Sequence, residues 1–389
     1  MNQSFLLHVV ERLEGFVGRL PATIQKPILS ELTPLKELFL QQRPPRFLFS
    51  GSPRTPLAEI VLTLFPDAAF DLASEISIEN RWHNVPVTDR SELSLLDART
   101  TEVEASSELR DELKRQPADI IFFVDDGDAT KPRRQSFTDN LATCLEANDQ
   151  GRAKTKVIVI SLAGSHASAE HDRETGSASK RRTQLQEVLE SKGVSGDRLA
   201  GAFHPGSSSK TKAILSVVAR ELPNEARIEM ARLSRDKEAQ AEIAHILVKS
   251  TTAVCTAIGA QPIPLADLPI LTTLQLVMVS GIMYVSGRER SLRAATEFVG
   301  ALGANVGAGM LLREGTRAVL KFFPGWGNVV CGMVAGAGTY AIGRAATVFF
   351  LDGVSLKDAR RTYLTSRKKA GRPKLLEGKG PAKERTRGK

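Results

Sequence analysis

The sequence predicts a doubly wound α/β sheet domain followed by a mainly helical, apolar domain, and three observations carry that prediction. Between residues 46 and 204, four- to six-residue apolar runs without polar alternation are separated by helical stretches, the layout of strands buried on both faces and joined by crossover helices. After Ser250 the chain changes character: Leu268 to Gly287 is twenty residues without a charge, and Phe322 to Gly343 is twenty-two. The 389 residues are 42% hydrophobic and 25% charged, which suits two or three folded domains and excludes wholesale disorder or a fibrous repeat.

Residues 1–45 read as amphipathic helices, with Leu6, Val9, Val10, Leu13 and Phe16 at helical spacing and then Leu32, Leu35, Leu38 and Phe39. The early charges Glu11, Arg12 and Glu14 break the apolar run that a secretory signal needs, so the expected compartment is the cytoplasm. Arg43-Pro44-Pro45-Arg46 ends the helices because proline donates no N–H and restricts the residue before it. The sheet domain is placed at 46–222. Its strands are Phe47–Phe49, Leu93–Leu96, Ile120–Val124, Val157–Ile160 and a weaker Leu199–Phe203, with helices over 57–65, 104–115, 138–148 and 180–191. Residues 208–222 continue as a helix, and Pro223 opens a solvated connecting helix over 224–249, within a domain spanning 223–366.

An open α/β sheet binds ligands beyond the carboxyl ends of its strands, so the turn after the first strand is where a phosphate cradle belongs. That turn reads Gly51-Ser52-Pro53-Arg54-Thr55-Pro56-Leu57-Ala58. Aligned on Gly51, the phosphate-loop pattern GxxxxGK[ST] requires Gly at 56, Lys at 57 and a hydroxyl at 58. Pro56 removes a backbone donor, Leu57 the ammonium, and Ala58 the magnesium-binding hydroxyl. Arg54 and Thr55 are the residues that could supply a substitute charge and hydroxyl. After the third strand, Asp97 falls where a GTPase places DxxG, with Thr100 in place of the glycine. Ser161-Leu162-Ala163-Gly164 contains none of the residues of the guanine-reading NKxD motif.

On Gly51, Asp97 and this layout, residues 46–222 resemble an Era-like small GTPase domain with degenerate motifs. The resemblance implies a P-loop-GTPase-like sheet and a nucleotide site at Gly51, Arg54, Thr55 and Asp97 that is vestigial. Downstream, Ile258-Gly259-Ala260-Gln261-Pro262-Ile263-Pro264-Leu265-Ala266-Asp267-Leu268-Pro269 is the most specific string in the chain. Pro262 and Pro264 set an extended turn, and Asp267 is placed to cap the helix that Pro269 enters. The string closely resembles the signature of the YcjF-like domain of unknown function that follows GTPase domains in bacterial proteins, over about 240–366.

Small residues at four-residue intervals, as in Gly303-Ala304-Asn305-Val306-Gly307 and Gly332-Met333-Val334-Ala335-Gly336, allow helix backbones to approach closely, within a bundle or between copies. Segments 268–287 and 322–343 have the length of membrane spans. The basic segment between them, with Arg288, Arg290, Arg293, Arg313, Arg317 and Lys321, disfavours a simple hairpin and fits either a bundle of hydrophobic hairpins packed on itself or one partly inserted with its arginines at headgroup level. Of the net charge of +9, +8 resides in the tail, where 367–389 hold ten Lys and Arg against Glu377 and Glu384. This tail reads as disordered and suited to anionic lipid rather than DNA.

Cys144, Cys255 and Cys331 have neither zinc nor disulfide spacing. His166, Glu170 and His171, and Asp125, Asp126 and Asp128, lie in polar loops without the spacing that converges metal ligands. The expectation is a non-catalytic GTPase-like scaffold or regulator whose helical domain docks to the cytoplasmic face of the inner membrane or to a helical partner. It has no assigned metal or cofactor. The alternative is a working GTPase with an atypical phosphate loop, binding GTP and magnesium.

Overall fold

The computed structural model describes residues 22–69, 81–88, 91–99, 107–125, 131–151, 154–162, 186–191, 195–203, 208–260, 267–303 and 326–370, with Thr183 and isolated positions between 11 and 18. They form two compact units, one of residues 37–240 and one of residues 1–36 with 241–389.

The first unit is built on six strands: β1 (Arg46–Gly51), β2 (His83–Thr88), β3 (Ser91–Asp97), β4 (Ile120–Asp125), β5 (Lys156–Ser161) and β6 (Leu199–Phe203). Their order in the sheet is β2-β3-β1-β4-β5-β6. All neighbours are parallel except β2 and β3, which pair antiparallel. Five strands fall where the apolar runs predict them. β2 is unpredicted because His83, Asn84 and Pro86 break its apolar pattern; as an edge strand it tolerates a proline, and its register shifts between Pro86 and Thr88.

Helices α1 (Ala22–Phe39), α2 (Leu57–Leu64), α3 (Ser107–Arg115), α4 (Lys131–Gly151) and α5 (Ser208–Glu221) follow in chain order. On one face of the sheet Phe47 and Phe49 pack their rings 5.4 Å and 5.2 Å from Phe122. On the other, Leu48, Ile121 and Phe123 pack with Leu109 and Leu113 of α3 and with Phe137, Leu141, Cys144 and Leu145 of α4, which recur at helical spacing. Trp82 packs against this cluster and donates its indole N–H to the Gln116 carbonyl.

Residues 224–249 differ from the expected solvated helix. They divide between α6 (Asn224–Ser234) and α7 (Lys237–Gly259), separated by Arg235 in the left-handed region, with the Asp236 carboxylate accepting from the amides of Glu238 and Ala239. Ala226 to Ala231 are buried, Arg227 and Glu229 included. Tertiary partners make that possible: Arg227 donates to the Ala219 carbonyl, and Glu229 accepts from Ser91 and Gln42 and pairs with Arg232. Arg43 grips the fully buried Asp119 carboxylate with two 2.7 Å bonds, and the Arg46 amide donates to the same carboxylate at 2.9 Å. Burial would lower the Arg43 guanidinium, but Asp119, with Glu225, outweighs it and raises it.

The second unit contains α8 (Asp267–Val285), α9 (Leu292–Gly303), α10 (Trp326–Phe350) and α11 (Leu356–Ala370). α8 ends at Gly287, whose φ of +91° suits glycine, with the Arg288 amide bonded to the Met283 carbonyl and the Gly287 amide to the Tyr284 carbonyl. Phe298 of α9 meets Phe349 and Phe350 of α10, and the Arg288 guanidinium lies 5.0 Å from the Phe350 ring centre.

The small-residue spacing on α10 serves close approach to residues 248–260. A Cβ on Gly332 would lie 2.8 Å from the Thr256 carbonyl oxygen and 2.9 Å from the Ala260 methyl, and one on Gly343 would meet the Val248 methyls. Among the described residues, one helix, Lys237–Gly259, is long and apolar enough to cross a membrane, and half of its most apolar window is buried inside the protein. The tail also differs from expectation at its start: Arg367 to Ala370 are the last turn of α11. The remainder of the tail and Gly303-to-Gly307 side chains lie outside the described residues.

Two outcomes follow. Gly332→Val forces helix backbones apart and lowers stability by about 2 kcal/mol or more, read as a shift of the urea midpoint. Cys144 and Cys255 are buried thiols that desolvation pushes up to about 12. Native protein at pH 8 therefore stays unlabelled by iodoacetamide at both positions, and labelling appears on unfolding in urea, as mass spectrometry would record.

Candidate functional site

β1 connects leftward in the sheet, through β2 to β3, whereas β4 connects rightward to β5. The carboxyl ends of adjacent β1 and β4 are therefore the point at which the winding reverses, where open α/β sheets accept ligands. Four chain segments converge there: the turn after β1, and the ends of β3, β4 and β5.

Gly51 terminates β1 with a φ of +104°, and a Cβ there would lie 2.3 Å from the Val124 carbonyl oxygen and 2.9 Å from the Val124 nitrogen. Only glycine lets the chain turn this close to β4. The next residue, Ser52, is buried and donates its amide to the Val124 carbonyl at 2.9 Å. The Arg54 amide points back to the Ser52 hydroxyl at 3.4 Å, and Pro53 and Pro56 have no amide hydrogen. The turn thus offers few of the convergent N–H groups with which a phosphate loop cradles an anion. Pro56 occupies the N-cap of α2 without a side-chain cap, Leu57 and Ala58 are buried in the core, and Glu59 places a carboxylate in the first turn. The position a loop lysine would occupy is a packing position.

Asp97 ends β3, and both its oxygens are engaged by one partner. Arg99 forks onto it, Nε to Oδ1 at 2.9 Å and Nη2 to Oδ2 at 2.8 Å, while the Arg99 amide also donates to Oδ1 at 3.0 Å. The remaining arm, Nη1, reaches the Thr55 carbonyl at 2.6 Å. The Arg99 side chain is 4% exposed and that of Asp97 15%. A guanidinium so far from water is held at the strand end by charge-assisted bonds to a carboxylate and a backbone carbonyl, and it ties the turn after β1 to the end of β3. Behind it, the Asn140 amide of α4 donates to the Ala98 carbonyl at 2.8 Å, and the Ala98 amide to the Phe49 carbonyl. Ser50, one residue before Gly51, is fully buried, and its hydroxyl has no hydrogen-bond partner among the described residues.

Of the residues singled out in the sequence, Gly51, Thr55 and Asp97 are brought together by this arrangement. Arg54 is exposed on the same turn. Asp267 opens α8 in the other unit, whereas Pro262 and Pro264, together with His166, Glu170, His171, Asp126 and Asp128, lie outside the described residues. Among the described residues no cluster of three His, Cys, Asp or Glu could hold a metal ion. The residue that sequence reasoning missed is Arg99. Its signal was local: an arginine two residues after a strand-end aspartate can fold back onto it.

Replacing Arg99 with methionine keeps much of the side chain's bulk but leaves Asp97 without its cation, so stability falls by about 2 to 4 kcal/mol. Backbone amides over 49–58 then exchange faster than those of β5, which hydrogen-exchange mass spectrometry resolves. The chain matches no family model and no curated protein, so the geometry of this strand-end latch carries the functional argument.

Proposed function

We propose that the protein is a non-catalytic, GTPase-like scaffold or regulator in which the sheet unit has lost nucleotide chemistry and the helical unit docks to a membrane surface or a partner. The observation that carries this reading is the Arg99 bridge between Asp97 and the Thr55 carbonyl. In a magnesium-nucleotide site, the carboxylate at the end of that strand organises the metal, and the turn beside it wraps the phosphates. Here an internal cation holds both, and it neutralises the carboxylate that would otherwise face a metal ion. The buried Leu57 and Ala58 support the same reading, since restoring an ammonium and a hydroxyl there would require opening the core.

The sheet order supports the comparison with a P-loop fold only at the level of architecture. The winding of the sheet reverses between β1 and β4, and the glycine turn lies at that point. Under this proposal the sheet unit acts as a rigid recognition body and the chain works at the cytoplasmic face of a membrane. A functional GTPase would instead have to use Arg54, Thr55 and Asp97, and the carboxylate of Asp97 is committed to Arg99.

Titration calorimetry of the full chain with GTP, and separately ATP, in the presence of magnesium tests the reading. The expected result is no binding tighter than about 1 mM, equivalent to about −4 kcal/mol. Affinity tighter than about 10 µM for magnesium-GTP, together with GTP hydrolysis that Asp97→Ala abolishes, would overturn it.

A further inference from the structure

We propose that the outward face of α11 is a docking surface for an anionic lipid bilayer. This inference rests on the docking half of the proposed function and gives it a partner and an address in the fold. α11 buries Ala359 and Tyr363 and turns Lys357, Arg361, Leu364 and Lys368 outward. These positions are spaced i, i+4, i+7 and i+11 and form one strip along the helix. Half-exposed Arg360 flanks the strip, and exposed Lys369 follows it. The helix carries six basic residues against one acidic residue, Asp358, and that carboxylate is already held by the Ser355 hydroxyl at 2.6 Å. Among the described residues no carboxylate pairs with Lys357, Arg360, Arg361 or Lys368.

Helix electrostatics accounts for only part of this charge. Arg367, Lys368 and Lys369 lie in the last turn, where the helix dipole favours cations, and Arg367 is further fixed against the Tyr363 ring. Lys357 lies in the first turn, where the dipole disfavours a cation, and it faces the like charge of Arg361 one turn on. A strip that repels itself within the chain is stabilised by anions from outside.

The apolar residues decide the kind of anion. Leu364 is 41% exposed in the middle of the cationic strip, and Leu356 is equally exposed at its start. α10, on which α11 packs, leaves Met333 44% and Tyr340 37% exposed. At a bilayer surface, lysine and arginine remain among the headgroup phosphates while a leucine between them reaches the acyl boundary. The phosphate backbone of a nucleic acid satisfies the cations but leaves the leucines facing water. Beyond α11 the sequence continues with seven more Lys and Arg and with Leu375-Leu376, a composition of the same kind.

Vesicle flotation of the full chain tests the proposal, comparing phosphatidylcholine vesicles with and without phosphatidylglycerol. Binding is expected only with the anionic lipid and is reversed by high salt. The double variant Arg361→Glu with Lys368→Glu, at exposed positions and with an unchanged circular dichroism spectrum, should lose about tenfold or more in affinity. Leu364→Asn should weaken binding while leaving the charge of the strip unchanged, which separates insertion from simple counterion attraction. Deleting 371–389 should leave measurable binding. The proposal is overturned by absence of binding to anionic vesicles, by wild-type binding of the double variant, by complete loss on deleting the tail, or by duplex DNA binding tighter than vesicle binding with the same residue dependence. Flotation reads α11 and nucleotide titration reads the sheet unit, so a failed flotation with no GTP binding leaves the scaffold reading with a protein partner. GTP binding with intact flotation sinks the scaffold alone.

Discussion

A guanidinium nearly sealed from water has to be neutralised where it sits, and the end of the sheet is organised around that requirement. Arg99 is useful to the fold only because three elements reach it together: β3 delivers the Asp97 carboxylate, the turn after β1 delivers the Thr55 carbonyl, and the core beneath excludes solvent. Each bond depends on the others' geometry. The Thr55 carbonyl is in reach because Gly51 lets the chain turn against Val124, and Asp97 is in reach because β3 runs parallel to β1 with Phe49 opposite it. The same bonds that stabilise the strand ends engage both oxygens of the Asp97 carboxylate, so under the proposed reading one physical arrangement both secures the fold and occupies the group that would otherwise meet a metal ion.

What could be read in the sequence followed from how local each signal was. β1, β3, β4 and β5 were legible because strands buried on both faces show as uninterrupted apolar runs, as Phe47–Phe49 and Ile120–Val124 do. β2 was not, because an edge strand needs only one paired side, and His83, Asn84 and Pro86 can occupy it without a hydrophobic pattern. The residues of α6 misled for a different reason. Arg227 and Glu229 look solvated in isolation, and their burial depends on Ala219, Ser91 and Gln42, which are distant in sequence. At the candidate site, the glycine turn and the strand-end carboxylate were legible, whereas the partner that changes the meaning of Asp97 was visible only once the β3 end and the β1 turn were in place.

The helical unit shows how small side chains become structure. Gly332, Gly336 and Gly343 recur along α10, and each would carry a Cβ into residues 248–260. Close approach of this kind gains dispersion contacts along the backbone and lets polar groups find partners inside an apolar bundle, as Gln275 does in donating to the Thr339 hydroxyl at 2.9 Å. The spacing alone left the solvent of the bundle undecided. Much of its apolar surface is directed at other helices of the same unit: Met278, Val279, Ile282 and Val285 on α8 and Ala341, Ala345 and Ala346 on α10 are all buried. A sequence without charge over twenty residues is therefore explained here in large part by self-packing.

That leaves the surface charge, and its distribution separates two roles that composition had merged. A basic segment attracts any polyanion in proportion to its charge, and charge alone gives no orientation. A helix presenting Lys357, Arg361, Leu364 and Lys368 along one strip instead offers a defined face to an anion, because the buried Ala359 and Tyr363 anchor its rotation. Under the proposal of a lipid-facing α11, this helix sets the geometry of the docked state, and the basic residues that follow it in sequence add to the attraction. Under the proposed scaffold reading, orientation matters more than affinity: a protein that works without chemistry of its own acts through where and in what orientation it holds its partners, and an oriented attachment to a surface supplies the second of these.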